Sequence, residues 1–204
     1  MHRGKLRLII GNMFANKTGF LIHEIETLRE FGRKRILVVK PDVDTRSPKG
    51  MLRNFHGKQM PALEVPAADP KAVFKRIRDE EQKAGEAYHV IVIDEVQFFP
   101  AGFDIVDDLL AHGYDVIAAG LRLNFRGKPF GCTLSLVGLC SGINDIIILN
   151  SRCAQCGAEA SIPQRIIDGE PAPFDSPEIL VGGKDSYEPR CYACFKLPGK
   201  PAMI

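Results

Sequence analysis

Two short stretches of the sequence carry residue types that could bind and transfer phosphate. The first, GNMFANKT (residues 11–18), matches the phosphate-loop pattern Gly-x-x-x-x-Gly-Lys-Ser/Thr, except that Asn16 stands at the second glycine. In such a loop, backbone N–H groups surround the phosphates, Lys17 reaches the terminal phosphates and the Thr18 hydroxyl faces Mg²⁺. Position 16 is expected to be left-handed, a conformation that asparagine adopts more readily than most residues. The alternative is an ordinary strand-to-helix turn with an exposed lysine.

The second stretch, HVIVIDEVQFF (residues 89–99), is an apolar run that ends in Asp94 and Glu95. In parallel sheets, functional groups lie at this carboxyl edge. Strand alternation predicts that the two side chains point to opposite sides, Asp94 toward Mg²⁺ and Glu95 toward a substrate hydroxyl as its base. Arg46 in DVDTR is a third candidate, a cation for the transferred phosphoryl group. The alternative is an acidic pair on a solvated loop.

Four of the six cysteines form two Cys-x-x-Cys pairs, CAQC and CYAC. Two such pairs can complete a tetrahedral Zn²⁺ site, and with four sulfur ligands the metal would be structural. A redox dithiol or four unconnected buried cysteines are the alternatives. The predicted zinc ligands are Cys153, Cys156, Cys191 and Cys194, whereas Cys132 and Cys140 are expected to be buried as small apolar residues.

Apolar runs that alternate with helical patterns predict an α/β fold with a mainly parallel sheet covered by helices. Helices are expected around residues 21–28, over 70–85, in IVDDLLAHG and in TLSLVGLCSG. The segment 157–190 shows no sustained periodicity and is expected to be a long loop tethered at both ends. The predicted strands are 6–10, 35–40, 89–94, 115–121 and 145–149.

The composition excludes some classes of function. With 25% charged residues and a formal net charge of +2, the chain gives no electrostatic reason to expect a nucleic-acid partner. No apolar stretch approaches the ~18 residues that span a membrane, and the N-terminal run is too short for a secretory signal. We therefore expect a soluble, cytoplasmic protein.

Taken together, the motifs resemble those of thymidine kinases of the zinc-containing type. The resemblance runs from about residue 5 to 197 and rests on segments in a fixed order: GNMFANKT, KPDVDTR, IDEVQFF, GLRLNFRGKPFG, CAQC and LVGGKDSYEPRCYAC. It implies transfer of the ATP γ-phosphoryl group to the 5′-hydroxyl of thymidine or deoxyuridine. It also implies a RecA-like phosphate-loop core (1–150), a zinc-tethered lasso loop in a subdomain (151–204), and a homotetramer.

The resemblance assigns residues by matching position. Glu95 becomes the base, and Lys17 and Arg46 stabilise the phosphates. The implied ATP site comprises Gly11, Asn12, Met13, Phe14, Ala15, Asn16, Lys17, Thr18, Asp94, Glu95, Val96 and Gln97. The implied nucleoside site comprises Met13, Phe98, Leu121, Phe125, Phe130, Val181, Gly182, Gly183 and Tyr187. Without the resemblance, the three phenylalanines are ordinary core aromatics.

The chain departs from the family pattern at several positions. Asn16 replaces a glycine, Arg122 stands where an acidic residue is expected, and Pro163 replaces a threonine near the base. These departures keep two alternatives open: a homologue that binds nucleotide or nucleoside with little catalysis, and a zinc-ribbon phosphate-loop ATPase that binds nucleic acid. The second needs a basic, aromatic face around the metal.

Overall fold

A computed structural model describes residues 2–180 and 186–201 of the chain. Its centre is a six-stranded, all-parallel sheet in the order β5–β2–β6–β7–β1–β8. The strands are β1 (Leu6–Gly11), β2 (Ile36–Pro41), β5 (Leu63–Val65), β6 (Val90–Ile93), β7 (Asp115–Leu121) and β8 (Ile146–Leu149). This confirms the predicted α/β class and the parallel sheet.

In the described part of the chain, three α-helices flank this sheet, and two buried apolar clusters lie against its strands. They are α1 (Lys17–Glu30), α2 (Pro70–Ala84) and α3 (Gly102–Ala111). Both ends of helix α2 are determined by residues next to it in the sequence. The Asp69 carboxylate accepts the N–H groups of Lys71 and Ala72 at 3.0 and 3.2 Å, and left-handed Gly85 ends the helix.

The fourth predicted helix, in TLSLVGLCSG, is wrong. The structure has only a short 3₁₀ segment there, Ser135–Leu139. Ser135, Gly138, Ser141 and Gly142 weaken the helix propensity of the predicted stretch, and within Ser135–Leu139 only Leu136 is buried. Cys132 and Cys140 are half-buried against the core, and burial raises the pKa of the Cys132 thiol to about 11.

The expectation that segment 157–190 has no structure of its own is also wrong. A three-stranded antiparallel sheet lies there in the order β12–β11–β13, preceded by a short β9–β10 pair. Its central strand buries polar Gln164 and Arg165, which hides any apolar alternation in the sequence. The bounds are β9 (Ser151–Arg152), β10 (Glu159–Ala160), β11 (Ile162–Ile167), β12 (Glu170–Pro171) and β13 (Tyr187–Arg190).

A hairpin that the sequence did not indicate precedes β5. Strands β3 (Met51–Arg53) and β4 (Gln59–Pro61) pair antiparallel, and residues 54–58 form their turn. None of the helices within the described residues is long and apolar enough to cross a lipid bilayer.

Candidate active site

The loop between β1 and α1 has the geometry of a phosphate-binding loop. Asn16 has φ 56° and ψ 33°, which confirms the predicted left-handed conformation, and Phe14 also has a positive φ of 61°. Gly11 is required by packing, since a Cβ atom there would collide with the carbonyl oxygen of Leu149 on the neighbouring strand β8. The loop therefore stores backbone strain at the point where α1 begins.

Hydrogen bonds within the loop fix its shape. Buried Asn12 accepts the Met13 N–H at 2.8 Å through its side chain, and its carbonyl oxygen accepts from the Lys17 ammonium at 2.9 Å. The Ala15 N–H also reaches that carbonyl, at 3.4 Å. Burial lowers the pKa of Lys17, although the negative charges of Glu95 and Asp94 oppose this shift. The Lys17 side chain thus folds over the loop and is held there by the Asn12 carbonyl.

Asp94 follows the end of β6 and faces the first turn of α1. Its Oδ2 atom lies 3.4 Å from the Thr18 hydroxyl, whereas its buried Oδ1 atom has no hydrogen-bond partner among the described residues. Burial, followed by the negative charges of Glu95 and Asp44, raises the pKa of Asp94 to about 7. An orphaned buried carboxylate oxygen beside a hydroxyl fits a hard divalent cation such as Mg²⁺.

Glu95 is held from both sides. Its Oε1 atom forms an ion pair with Arg46 at 2.6 Å, and Oε2 accepts from the Gln97 amide. Arg46 also contacts Asp44 at 2.6 Å, and the Gln97 oxygen accepts the Leu121 N–H at 3.0 Å. Burial opposes ionisation of Glu95, but the charges of Arg46 and Lys17 hold its pKa below the ordinary value. The carboxylate is therefore ionised and oriented.

The predicted opposite orientation of Asp94 and Glu95 is wrong, because both side chains line the same cavity. Strand β6 ends at Ile93, and Glu95 has a left-handed φ of 54°, so strand alternation no longer applies. Val96, which follows, is fully buried in the core cluster under the sheet and points away from the cavity.

A buried lysine anchors the loop that carries Arg46. Lys40, on β2, is 1% exposed, and its ammonium lies 3.3 Å from the Met51 carbonyl and 3.4 Å from the Glu64 carboxylate. Glu64 in turn accepts the Gly50 N–H at 3.0 Å. Both ends of the loop 42–50 are thereby tied to the sheet.

These groups open into one cavity of about 820 Å³. Eight of the predicted ATP-binding and catalytic residues line it: Met13, Phe14, Asn16, Lys17, Thr18, Arg46, Asp94 and Glu95. The sequence did not indicate Asp44, the hairpin residues Arg53 to His56 at the end of β3 and in the β3–β4 turn, or Arg152 on β9. Asp44 lies within the DVDTR motif, which was a usable signal, whereas the other positions follow only from the tertiary fold.

The predicted nucleoside residues form one apolar cluster. Met13, Leu121, Phe125, Phe130 and Tyr187 are buried together, and Phe98 packs against them, with its ring 5.7 Å from that of Phe130. Only Met13, Leu121 and Tyr187 of these reach the cavity wall. Val181, Gly182 and Gly183 lie outside the described residues.

Arg165 is the main residue of this region that the sequence did not indicate. It is 1% exposed on β11, and its guanidinium lies 3.9 Å from the centre of the Phe125 ring. It donates to the Tyr187 hydroxyl at 2.6 Å and to the carbonyls of Pro177 and Glu178. A buried arginine surrounded by acceptors organises β13 and the preceding loop.

The two Cys-x-x-Cys pairs meet in space. The Sγ atoms of Cys153, Cys156, Cys191 and Cys194 all lie within 4.8 Å of one another. Four sulfurs at this separation fit the tetrahedral thiolate coordination of zinc, with no position left for water. The cluster ties β9 to the turn that follows β13.

Comparison with protein families agrees with the geometry. A family model described as thymidine kinase matches residues 4–195, nearly the whole chain. The match includes the phosphate loop, the acidic pair after β6 and all four clustered cysteines. The chain therefore belongs to the thymidine kinase family, and with it to the kinases that phosphorylate nucleosides.

Proposed function

We propose that the protein transfers the γ-phosphoryl group of ATP to the 5′-hydroxyl of thymidine or deoxyuridine. One observation carries the proposal: a single cavity is lined by residues of the phosphate loop, by Arg46, by the acidic pair and by Tyr187. Phosphoryl transfer needs positioning and charge neutralisation more than covalent chemistry, and such a cavity supplies both.

Glu95 is the proposed base. Each of its oxygens already accepts one hydrogen bond, from Arg46 or from Gln97, but each retains capacity to accept a substrate hydroxyl. Arg46 and Lys17 place two positive charges beside it, where a transferred phosphoryl group would lie. A depressed pKa makes Glu95 a weak base, so its orienting role is as important as proton removal.

Asp94 and Thr18 are the residues that would hold Mg²⁺. Their oxygens lie 3.4 Å apart, and the free Oδ1 of Asp94 is available for a ligand. The cation, when bound, neutralises phosphate charge during transfer. The N–H groups of Met13 and Ala15 donate to Asn12, so within this loop Phe14 and Asn16 are the residues that would offer backbone N–H groups to the phosphates.

The aromatic cluster is the proposed nucleoside pocket. Met13, Leu121 and Tyr187 line the cavity, and Phe98, Phe125 and Phe130 pack behind them. Residues 181–183 are proposed to read the base edge. Zinc at the four cysteines would be structural, because it joins the two ends of the segment that carries Tyr187.

Three further predictions from the sequence remain proposals: division into a core (1–150) and a subdomain (151–204), a cytoplasmic location, and a homotetramer. Self-association is supported by β8, an edge strand on which Ile148 is 52% exposed, and by Ile143 nearby at 78%. Sedimentation of the purified protein measures the assembly, and a monomer at all concentrations would contradict it.

The proposed activity is tested with ATP, Mg²⁺ and a panel of deoxynucleosides. Thymidine should yield thymidine monophosphate, and Glu95→Gln should lower kcat by about 10²–10⁴-fold while ATP affinity changes little. Glu80→Gln, on the surface of α2, is the matched control and should keep full activity. ATP binding without turnover above the Glu95→Gln background would instead favour the homologue with little catalysis.

A further inference from the structure

The Asn16 side chain lies in a space that exists only because residue 19 is glycine. Gly19 is the third residue of α1. A Cβ atom built on it would lie 2.7 Å from both Cγ and Nδ2 of Asn16 and closer still to Oδ1. The three nearest atoms all belong to Asn16, so this side chain is what a Cβ atom at position 19 would collide with first.

This packing determines which donors remain available to a phosphate. An asparagine before a helix usually caps it by accepting the N–H of the second or third helical residue. Asn16 makes no such side-chain hydrogen bond. The N–H groups of Lys17, Thr18 and Gly19 likewise donate to no acceptor within residues 2–180 and 186–201. These are the donors that bind an anion at a helix N-terminus.

We propose that Gly19 is a positioning residue of the phosphate loop, which holds the Asn16 carboxamide against the helix and away from the anion. The proposal rests on ATP binding at this loop, as in the proposed function. Any side chain at position 19 removes the space and forces the carboxamide to rotate. In its other rotamers the carboxamide competes for the N–H donors as a cap or crowds the phosphates. Gly19 therefore makes an asparagine at position 16 compatible with nucleotide binding.

A double-mutant cycle tests this coupling. The wild type, Gly19→Ala, Asn16→Gly and the double variant are titrated calorimetrically with Mg²⁺–ATP and with inorganic tripolyphosphate. Gly19→Ala should lower the binding affinity for both ligands by about tenfold or more when Asn16 is present, and by less than about twofold when position 16 is glycine. The thermal midpoint of the Gly19→Ala protein should not fall, since alanine favours helix more than glycine does.

The control is Gly138→Ala, because a Cβ atom at Gly138 meets no atom within 4 Å. It should bind both ligands like the wild type. Unchanged ligand affinity in Gly19→Ala, or an equal loss in both backgrounds, would overturn the proposal. A wild-type protein that binds neither ligand would overturn the proposed function as well, so the two failures are distinguishable by the first titration.

Discussion

The Glu95 carboxylate shows how much of this site depends on orientation. Arg46 and Gln97 each hold one oxygen, and both partners are themselves anchored, Arg46 by Asp44 and Gln97 by the Leu121 N–H. A network in which every partner of the carboxylate is itself hydrogen-bonded keeps one geometry. Orientation is therefore in place before substrate arrives, which reduces the entropic part of the barrier.

Asp94 gives a pH-dependent prediction at the residue scale. The folded protein keeps the Asp94 proton up to a pKa of about 7, whereas the unfolded chain loses it near 3.8. The wild type should therefore lose stability relative to Asp94→Asn as the pH rises from about 4 to about 7. Over that range the stability of the wild type relative to the variant should fall by on the order of 4 kcal/mol in total.

Urea denaturation at pH 5 and pH 8, without divalent cations, measures this difference. Asp108→Asn, at an exposed position on α3, is the matched control and should show the same stability difference from wild type at both pH values. If the unfolding free energies of Asp94→Asn and the wild type differ by the same amount at pH 5 and pH 8, the pKa of Asp94 is not raised.

At the scale of elements, strand β11 supports the nucleoside side through Arg165. Arg165 and Tyr187 are opposite each other in the β11–β13 pairing, and the tyrosine hydroxyl donates to the Leu180 carbonyl at 2.8 Å. One buried guanidinium therefore connects two strands with the loop 177–180. No other described side chain replaces these donors to the carbonyls of Pro177 and Glu178.

Arg165→Met should separate nucleoside binding from ATP binding. The change keeps the volume but leaves several buried acceptors unpaired, which costs about 1–3 kcal/mol of unfolding free energy. We expect the thymidine KM to rise by roughly tenfold or more while the ATP KM changes little. Arg35→Met, a partly exposed arginine on the opposite end of the sheet, is the control. Equal increases in both KM values would contradict this role.

The elements that the sequence predicted correctly are those with a single dominant signal. Strands β1 and β6 are continuous apolar runs, and α2 has a cap at each end. Strand β11 was not predicted because its buried residues Gln164 and Arg165 are polar. An α-helix was wrongly predicted around Ser135–Leu139 because the leucines there suggested an apolar helical face. Such outcomes depend on tertiary partners that a local pattern does not contain.

The same limit applies to the site. The left-handed conformation of Asn16 was predicted because its position in the phosphate-loop motif requires it. The left-handed conformation of Glu95 was not predicted, because the spacing of residues in DEVQFF does not indicate a backbone conformation. The hydrogen bonds of Arg165, and the position of the hairpin residues 53–56 at the cavity wall, depend on contacts across long sequence separations.

At the scale of the whole molecule, the cysteine cluster predicts an uneven response to metal removal. It joins β9 to the turn after β13, and so encloses the segment that carries Arg165 and Tyr187 but not the phosphate loop. A chelator should increase hydrogen exchange in β11 and β13, and should weaken nucleoside binding more than ATP binding.

Hydrogen exchange followed by mass spectrometry, together with two ligand titrations, measures this response. Cys156→Ser should reproduce the effect of the chelator, and Cys140→Ser, which is outside the cluster and half-buried against the core, should keep the metal content. An equal loss of both affinities would show that the metal supports the whole fold instead of one wall of the cavity.

The parallel sheet has a consequence for how the polypeptide acquires activity. Lys17, Arg46, Glu95 and Tyr187 come from four distant parts of the chain, and they meet only when β1, β2, β6 and β13 are all in place. Parallel neighbours require long crossover connections, so these encounters carry a high contact order and form slowly. Catalytic competence should therefore emerge as the last event of folding, and partially folded intermediates should be inert.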